Sequence, residues 1–198
     1  MNTQAINSSV NINAVPRLGT VMIVDISGFT DLVYATDVVA GTKIVFQLLS
    51  SVIKANELQL QIAEIEGDAV FFYRFGLPPS KRDVLLQYER MLNSFLEAVR
   101  SIPELYSKRM PLSLKMVVHY GDIAQYQLGG FDKLYGKVVT EAHMLLKNNV
   151  PSHTYVLMSD DYLHSVSSPE QTLPHAMNSQ CEIFAGSKKL CYSSYDYS

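Results

Sequence analysis

Two aspartates stand where this chain could do chemistry. Asp25 follows the apolar run Val21–Val24, after which Ser27-Gly28-Phe29-Thr30 makes a tight turn and a helical pattern opens at Asp31. A carboxylate at a strand end can hold a metal, and the free amides at a helix start can face phosphate oxygens. Asp68 follows Gly67 in Glu64–Arg74, where two apolar arms flank a Gly-Asp reversal of hairpin type. Two carboxylates at chain reversals on neighbouring strands suit a pair of divalent cations. Taken singly, Asp25 reads equally as a turn or cap residue, and Asp68 more readily as a plain turn residue. The two stretches in this order, joined by a helix, favour the metal reading.

The elements that must position these aspartates follow from periodicity. The spacing predicts a strand over Thr20–Ile26, a helix over Asp31–Val39 broken at Gly41-Thr42, and a second helix capped by Thr42 with Ile44, Leu48, Leu49, Val52 and Ile53 on one stripe. Alternation over Leu58–Glu66 puts Leu58, Leu60 and Ile62 on one face with Glu64 and Glu66, and Val70–Tyr73 completes the hairpin. Val84 to Val99 marks a long amphipathic helix ended by Pro103. A second hairpin is expected from Leu112–His119 and Ile123–Leu128, turning at Tyr120-Gly121-Asp122. Then come a helix near Gly136–Asn148, a strand at Thr154–Met158, a short helix at Asp160–Ser165, a loop with Pro169 and Pro174, and strands near Cys181–Phe184 and Leu190–Tyr195. The order β-α-β-β-α-β fits an α+β fold of ferredoxin-like, split-βαβ type with helices over the sheet.

Composition narrows the function classes. A chain of 198 residues with 47% hydrophobic and 18% charged residues can bury one real core. A net charge of −3 gives no basis for nucleic-acid binding or for attraction to anionic membranes. No apolar run approaches a membrane span, and the polar N-terminus lacks the pattern of a signal peptide. Residues 1–17 read as a flexible tail and 18–198 as one domain. Cys181 and Cys191 lack zinc spacing and suggest two reduced thiols in a cytoplasmic protein.

Together, Asp25–Thr30 and Glu64–Arg74 resemble the class III nucleotidyl (adenylate/guanylate) cyclases, and more narrowly a bacterial cyclase-like group of undefined function. Val117–Gly130 is similar to that family's strand–His-x-Gly–strand segment, and Leu134–Asn149 to its dimer-interface helix. The resemblance runs from about Val21 to Tyr192. It implies a homodimer with sites between subunits, a nucleoside triphosphate as ligand, and two Mg²⁺ or Mn²⁺ ions per site. Asp25, the Ile26 carbonyl and Asp68 would hold the metals. Gly28, Phe29 and Thr30 would meet the phosphates, with Lys188 in a glycine-lysine loop. Glu64 and Lys133 would read the base. A carboxylate can accept from guanine N1–H and N2–H while an ammonium donates to O6, so this pair favours GTP over ATP. A plain Glu–Lys ion pair is an equal alternative, and Asp132 could take the second position if the loop shifts by one. Where the family places an asparagine and an arginine on its interface helix, this chain has Thr140 and Met144. Methionine donates no hydrogen bond. The implied activity is therefore slow formation of a cyclic nucleotide, with an inactive nucleotide-binding or dimerisation module as the alternative.

Overall fold

A computed structural model describes residues 15–108, 110–166, 177–184 and 186–198. Most of the predicted tail and the loop with Pro169 and Pro174 lie outside them. β1 (Arg17–Ser27) is an inner strand of the sheet. It pairs antiparallel with β3 (Ala69–Phe75) on one side and β4 (Ser113–Leu128) on the other. β2 (Gln61–Glu66) edges β3, and β6 (Tyr155–Ser159), β8 (Lys188–Asp196) and β7 (Met177–Phe184) extend the sheet beyond β4. The order β2-β3-β1-β4 is the split-βαβ core expected from sequence. β5 (Phe131–Tyr135) folds back on β4.

β1 is buried on both faces from Gly19 onward, and its alternation sorts the molecule into two layers. Met22, Val24 and Ile26 face α2 (Val38–Lys54) and α3 (Lys81–Ser101), in a core that includes Leu48, Val84, Tyr88, Met91 and Phe95. Val21 and Ile23 face the opposite side, where Phe71, Tyr73, Ile123, Val138 and Ala142 gather beneath α5 (Lys137–Leu145). The long helix needs one buried polar bond: the Tyr88 hydroxyl donates to the Leu114 carbonyl at 2.6 Å.

Several local expectations are corrected. β1 starts before the expected Thr20, since Arg17 already opens it and lies over the Phe75 ring at 3.6 Å. The first helical break falls at Thr36-Asp37. α1 (Phe29–Ala35) stops there, and Asp37 rather than Thr42 caps α2 by accepting from Val39 and Ala40 amides. A bulge between Ile62 and Glu64 breaks the alternation of β2. Ile62 therefore pairs with Phe72 on the α2/α3 face, while Glu64 and Glu66 pair with Phe71 and Ala69 on the α5 face.

The predicted turn at Tyr120-Gly121-Asp122 does not exist. β4 runs straight through it, and the reversal falls at Gly129-Gly130, both at positive φ. Gly121 serves close approach instead, because a Cβ there would touch Val138 of α5 at 3.4 Å. Cys181 and Cys191 are not free thiols. They sit directly opposite on β7 and β8 and form a disulfide, which removes the argument for a reducing compartment. No described helix is long and apolar enough to cross a membrane.

Where α5 begins, a Cβ at Gly136 would lie 2.3 Å from the Asp122 carbonyl oxygen. Gly136→Ala must push α5 off β4 and is expected to cost about 1–3 kcal/mol. A urea melt with an unchanged midpoint would show that the start of the helix has slack.

Candidate functional site

The site is built at the ends of β1, β3 and β4. Asp25 is the last β1 residue paired with β3, and directly opposite it on β4 is Lys115. Directly paired residues project to one face, so Asp25 and Lys115 stand on the α5 side with Val21 and Ile23. Lys115 Nζ donates to Asp25 Oδ2 at 2.9 Å. Asp68, on the β2–β3 turn beside Gly67 at φ 60°, lies close enough for its carboxyl to feel that of Asp25. The two aspartates are thus brought together, with a lysine that sequence reading overlooked. Only the β1–β4 register exposes Lys115, because it lies in an unremarkable apolar strand.

The electrostatics follow from that closeness. Burial and the negative charge of Asp25 both oppose ionisation of Asp68, and its pKa is pushed up to about 6. Burial works most strongly against the Lys115 ammonium, but its bond to Asp25 and the neighbouring negative charges together outweigh this and hold the pKa above the usual lysine value. One lysine serves two crowded carboxylates, and a cation is the natural complement of that arrangement. Ile26 lies one residue past the last β1–β3 pair. Gly28, at φ 85°, is the N-cap of α1 and offers no side chain to the amides of Phe29 and Thr30. It packs closely, since a Cβ would lie 3.0 Å from the Pro111 carbonyl oxygen.

The remaining sequence-selected residues fall elsewhere on the same face. Lys133 of β5 donates to Glu64 of β2 at 2.9 Å, an exposed pair within one chain. Asp132 instead accepts from Gln127 at 2.9 Å. Thr140 is exposed on α5. Met144 packs against the cluster of Val117, Leu145, Tyr155, Leu157, Phe184, Leu190 and Tyr192. His143 stands edge-on to Phe71 at 5.4 Å. Lys188 donates to Glu141 Oε1 at 2.7 Å. Neither Lys133 nor Lys188 contacts Asp25 or Asp68 within the chain.

Asp68 carries a pH signature. Its folded pKa near 6 exceeds the ordinary 3.8. Its contribution to stability is therefore complete below about pH 4 and is lost as pH rises through 6. Asp68→Asn should be the more stable protein at pH 8 without metal, by roughly 1 kcal/mol once solvent screening of a half-exposed group is counted. The gap should close by pH 4. Coincident urea curves at pH 8 would mean that the two carboxylates do not oppose each other.

The comparisons with known proteins fit this architecture. The guanylyl cyclase Cya2 matches over 92% of this chain and 93% of its own, at 15% identity and a TM-score of 0.69. The adenylyl cyclase CyaB from P. aeruginosa matches over 94% and 97%, at 16% identity and a TM-score of 0.63. The guanylate cyclase domain of RhGC from Catenaria anguillulae, solved in complex with GTP, matches over 91% and 96%, at 15% identity and a TM-score of 0.64. At such identities the likeness speaks for the fold, and the chain has the fold of the class III nucleotidyl cyclase domains. An uncharacterized protein of Mycobacterium tuberculosis, Rv2561/Rv2562, is 32% identical over 123 residues, which are 58% of this chain and 56% of that protein. The chain thus spans about half the length of the curated relative it matches. A profile of the family described as "Protein of unknown function (DUF2652)" matches residues 45–155, more than half of the chain, and the chain belongs to that family.

Proposed function

We propose that this domain binds a nucleoside triphosphate together with Mg²⁺ or Mn²⁺ at Asp25 and Asp68, in a site completed by a second copy, and cyclises it slowly or not at all. The observation that carries the reading is the closeness of the two aspartates, with Asp68 raised to about 6 by burial and by the charge of Asp25. A divalent cation relieves that cost, so the donor set fits the group. Asp25 and Asp68 would supply carboxylate oxygens, with the Ile26 carbonyl as a third donor. When bound, the metals would acidify the ribose hydroxyl and neutralise triphosphate oxygens. Lys115 holds Asp25 in place. The uncapped amides after Gly28 face the same end of the sheet.

The partner subunit would contribute α5 and the Glu64–Lys133 pair. Glu64 would accept from guanine and Lys133 would donate to its O6, which favours GTP. Their mutual bond is exposed, and parting it costs little. Slow turnover rests on Met144. It carries no charge, and it is packed against the apolar cluster beneath α5 instead of facing outward. A missing donor to the developing charge typically costs about a hundredfold or more in rate. Lys188, tied to Glu141, is not free to replace it. The same two observations favour a second reading, a nucleotide-binding dimerisation module without turnover.

Calorimetry with Mn²⁺ and non-hydrolysable analogues tests the binding claim. The GTP analogue should bind more tightly than the ATP analogue, Asp25→Asn with Asp68→Asn should abolish both, and Glu64→Lys should shift preference toward ATP. Equal affinities would leave Glu64 as an ion-pair partner only, and no binding would sink the reading.

Turnover is tested separately. Wild-type protein should form cyclic nucleotide barely above background, and Thr140→Asn with Met144→Arg should raise the rate while metal affinity stays unchanged. A wild-type rate like that of an ordinary cyclase would show that Lys115, Lys147 or Lys188 already supplies the charge. A double variant that binds nucleotide and metal yet stays inactive would favour the module.

A further inference from the structure

Further along β4, the α5 side of the sheet gathers a second group of ligating side chains. His119 is four residues from Lys115 on the same strand face, roughly 13 Å at strand spacing. Its Nε2 lies 2.9 Å from Glu141 Oε2 on α5 and 4.0 Å from Asp161 Oδ2 in the first turn of α6 (Asp160–Ser165). One ligand atom from each of the three falls within 4.8 Å of the other two. Nothing in the proposed nucleotide chemistry uses them.

Glu141 is the informative residue. The buried stripe of α5 is Val138, Ala142 and Leu145, at i, i+4 and i+7. Glu141 holds the remaining i+3 position, where an amphipathic helix places an apolar residue. A carboxylate there is costly unless it is bonded. Burial opposes its charge, but bonds to Lys188 and His119 outweigh burial and hold its pKa below the usual range. It is therefore an anion pointed at a histidine that is 1% exposed.

We infer that His119, Glu141 and Asp161 form a second metal site, for a divalent transition ion of the Zn²⁺ or Mn²⁺ class, independent of the Asp25–Asp68 pair. An imidazole nitrogen beside two carboxylates suits those ions better than Mg²⁺ or Ca²⁺, which take oxygen ligands. Bonds of about 2.0–2.1 Å in tetrahedral geometry place ligand atoms roughly 3.3 Å apart. The observed 2.9 and 4.0 Å straddle that value. Asp161, 67% exposed on a short helix, can make the last adjustment.

The outer partners of a metal site are present as well. His119 Nδ1 lies 2.6 Å from Ser159 Oγ, which also accepts from the Tyr162 amide at 3.1 Å and so is itself held. Lys188 bonds Glu141 through Oε1, leaving Oε2 facing His119, so the lysine orients the ligand without blocking it. In the metal-free cluster, the Nε2–H of His119 donates to Glu141. With a metal on Nε2, that proton moves to Nδ1 and Ser159 accepts it. A cavity of about 510 Å³, lined by His119, Glu141 and Asp161 together with Asp122 and Lys137, leaves room for water on the open coordination positions.

The test uses the full chain carrying Asp25→Asn and Asp68→Asn, which silences the other pair. Calorimetry should find one Zn²⁺ at about micromolar affinity or tighter, near −8 kcal/mol, and excess Mg²⁺ should not displace it. Asp161→Asn lies at an exposed position and should fold normally, yet weaken Zn²⁺ at least about tenfold, as should Glu141→Gln. Co²⁺ in the same site should absorb in the visible, and His119→Gln should remove that band. Equal Zn²⁺ affinity in parent and Asp161→Asn would overturn the inference and leave the cluster a purely structural network. Absence of uptake in the silenced background would overturn it too, without bearing on nucleotide binding.

Discussion

Everything on the α5 side depends on the register of β1 against β4. Eleven consecutive pairs, from Arg17↔Ile123 to Ser27↔Ser113, fix which residues share a face. A slip of one residue would turn Asp25 and Val21 into the α2/α3 core and bring Met22 and Val24 under α5. The pattern resists that slip because it would drive the Asp25 carboxylate into the apolar α2/α3 core, away from its bond to Lys115. The site therefore sits at the C-terminal end of β1, where a buried carboxylate is tolerated because Lys115 bonds it. The same register sets Lys115 against Asp25 and His119 against Val21, so two charged groups of different composition arise from alternate residues of a single strand.

How much of this was legible in the sequence depends on the range of the interaction. Asp25–Thr30 and Gly67-Asp68 are local signals, a strand end and a turn, and the two aspartates they mark do meet. The helices over Val38–Lys54 and Lys81–Ser101 were visible as apolar stripes. What failed needed a partner strand or a neighbouring helix to be seen. Gly121 resembles a turn glycine, but it is in fact the gap into which Val138 packs. The bulge after Ile62 cannot be read from alternation, because the residues on both sides of it alternate correctly with themselves. Lys115 means nothing until it is paired with Asp25, and Cys181 and Cys191 fall opposite each other only once β7 and β8 are aligned.

Helix α5 joins the two charged regions. Its buried stripe anchors it on β1 and β4, with Gly136 and Gly121 allowing close approach at its start. Its outer face carries Thr140, and its inner face carries Glu141, bound to both His119 and Lys188. Any change in the bonding of Glu141 is thus felt by the helix that carries Thr140 and by the start of β8 that carries Lys188. The coupling is mechanical and short, through one turn of helix and one ion pair, and it needs no long pathway.

The charge balance of this face decides what can approach it. Lys115, Lys133 and Lys188 are each bonded to a carboxylate of the same chain: Asp25, Glu64 and Glu141. None of the three carries positive charge to spare. Asp68, Glu66 and Asp161 then stand without a lysine of their own among the described salt bridges, and burial together with the Asp25 charge raises the pKa of Asp68. A triphosphate arriving alone would meet a surface already short of countercharge, and like charges at contact cost more as water is displaced. On the proposed reading it would settle with divalent cations that bring positive charge along. If the domain binds a triphosphate as proposed, its dependence on a metal would be set by the electrostatics of the whole face as much as by two donor aspartates, and weakening the internal ion pairs would loosen that dependence without touching Asp25 or Asp68.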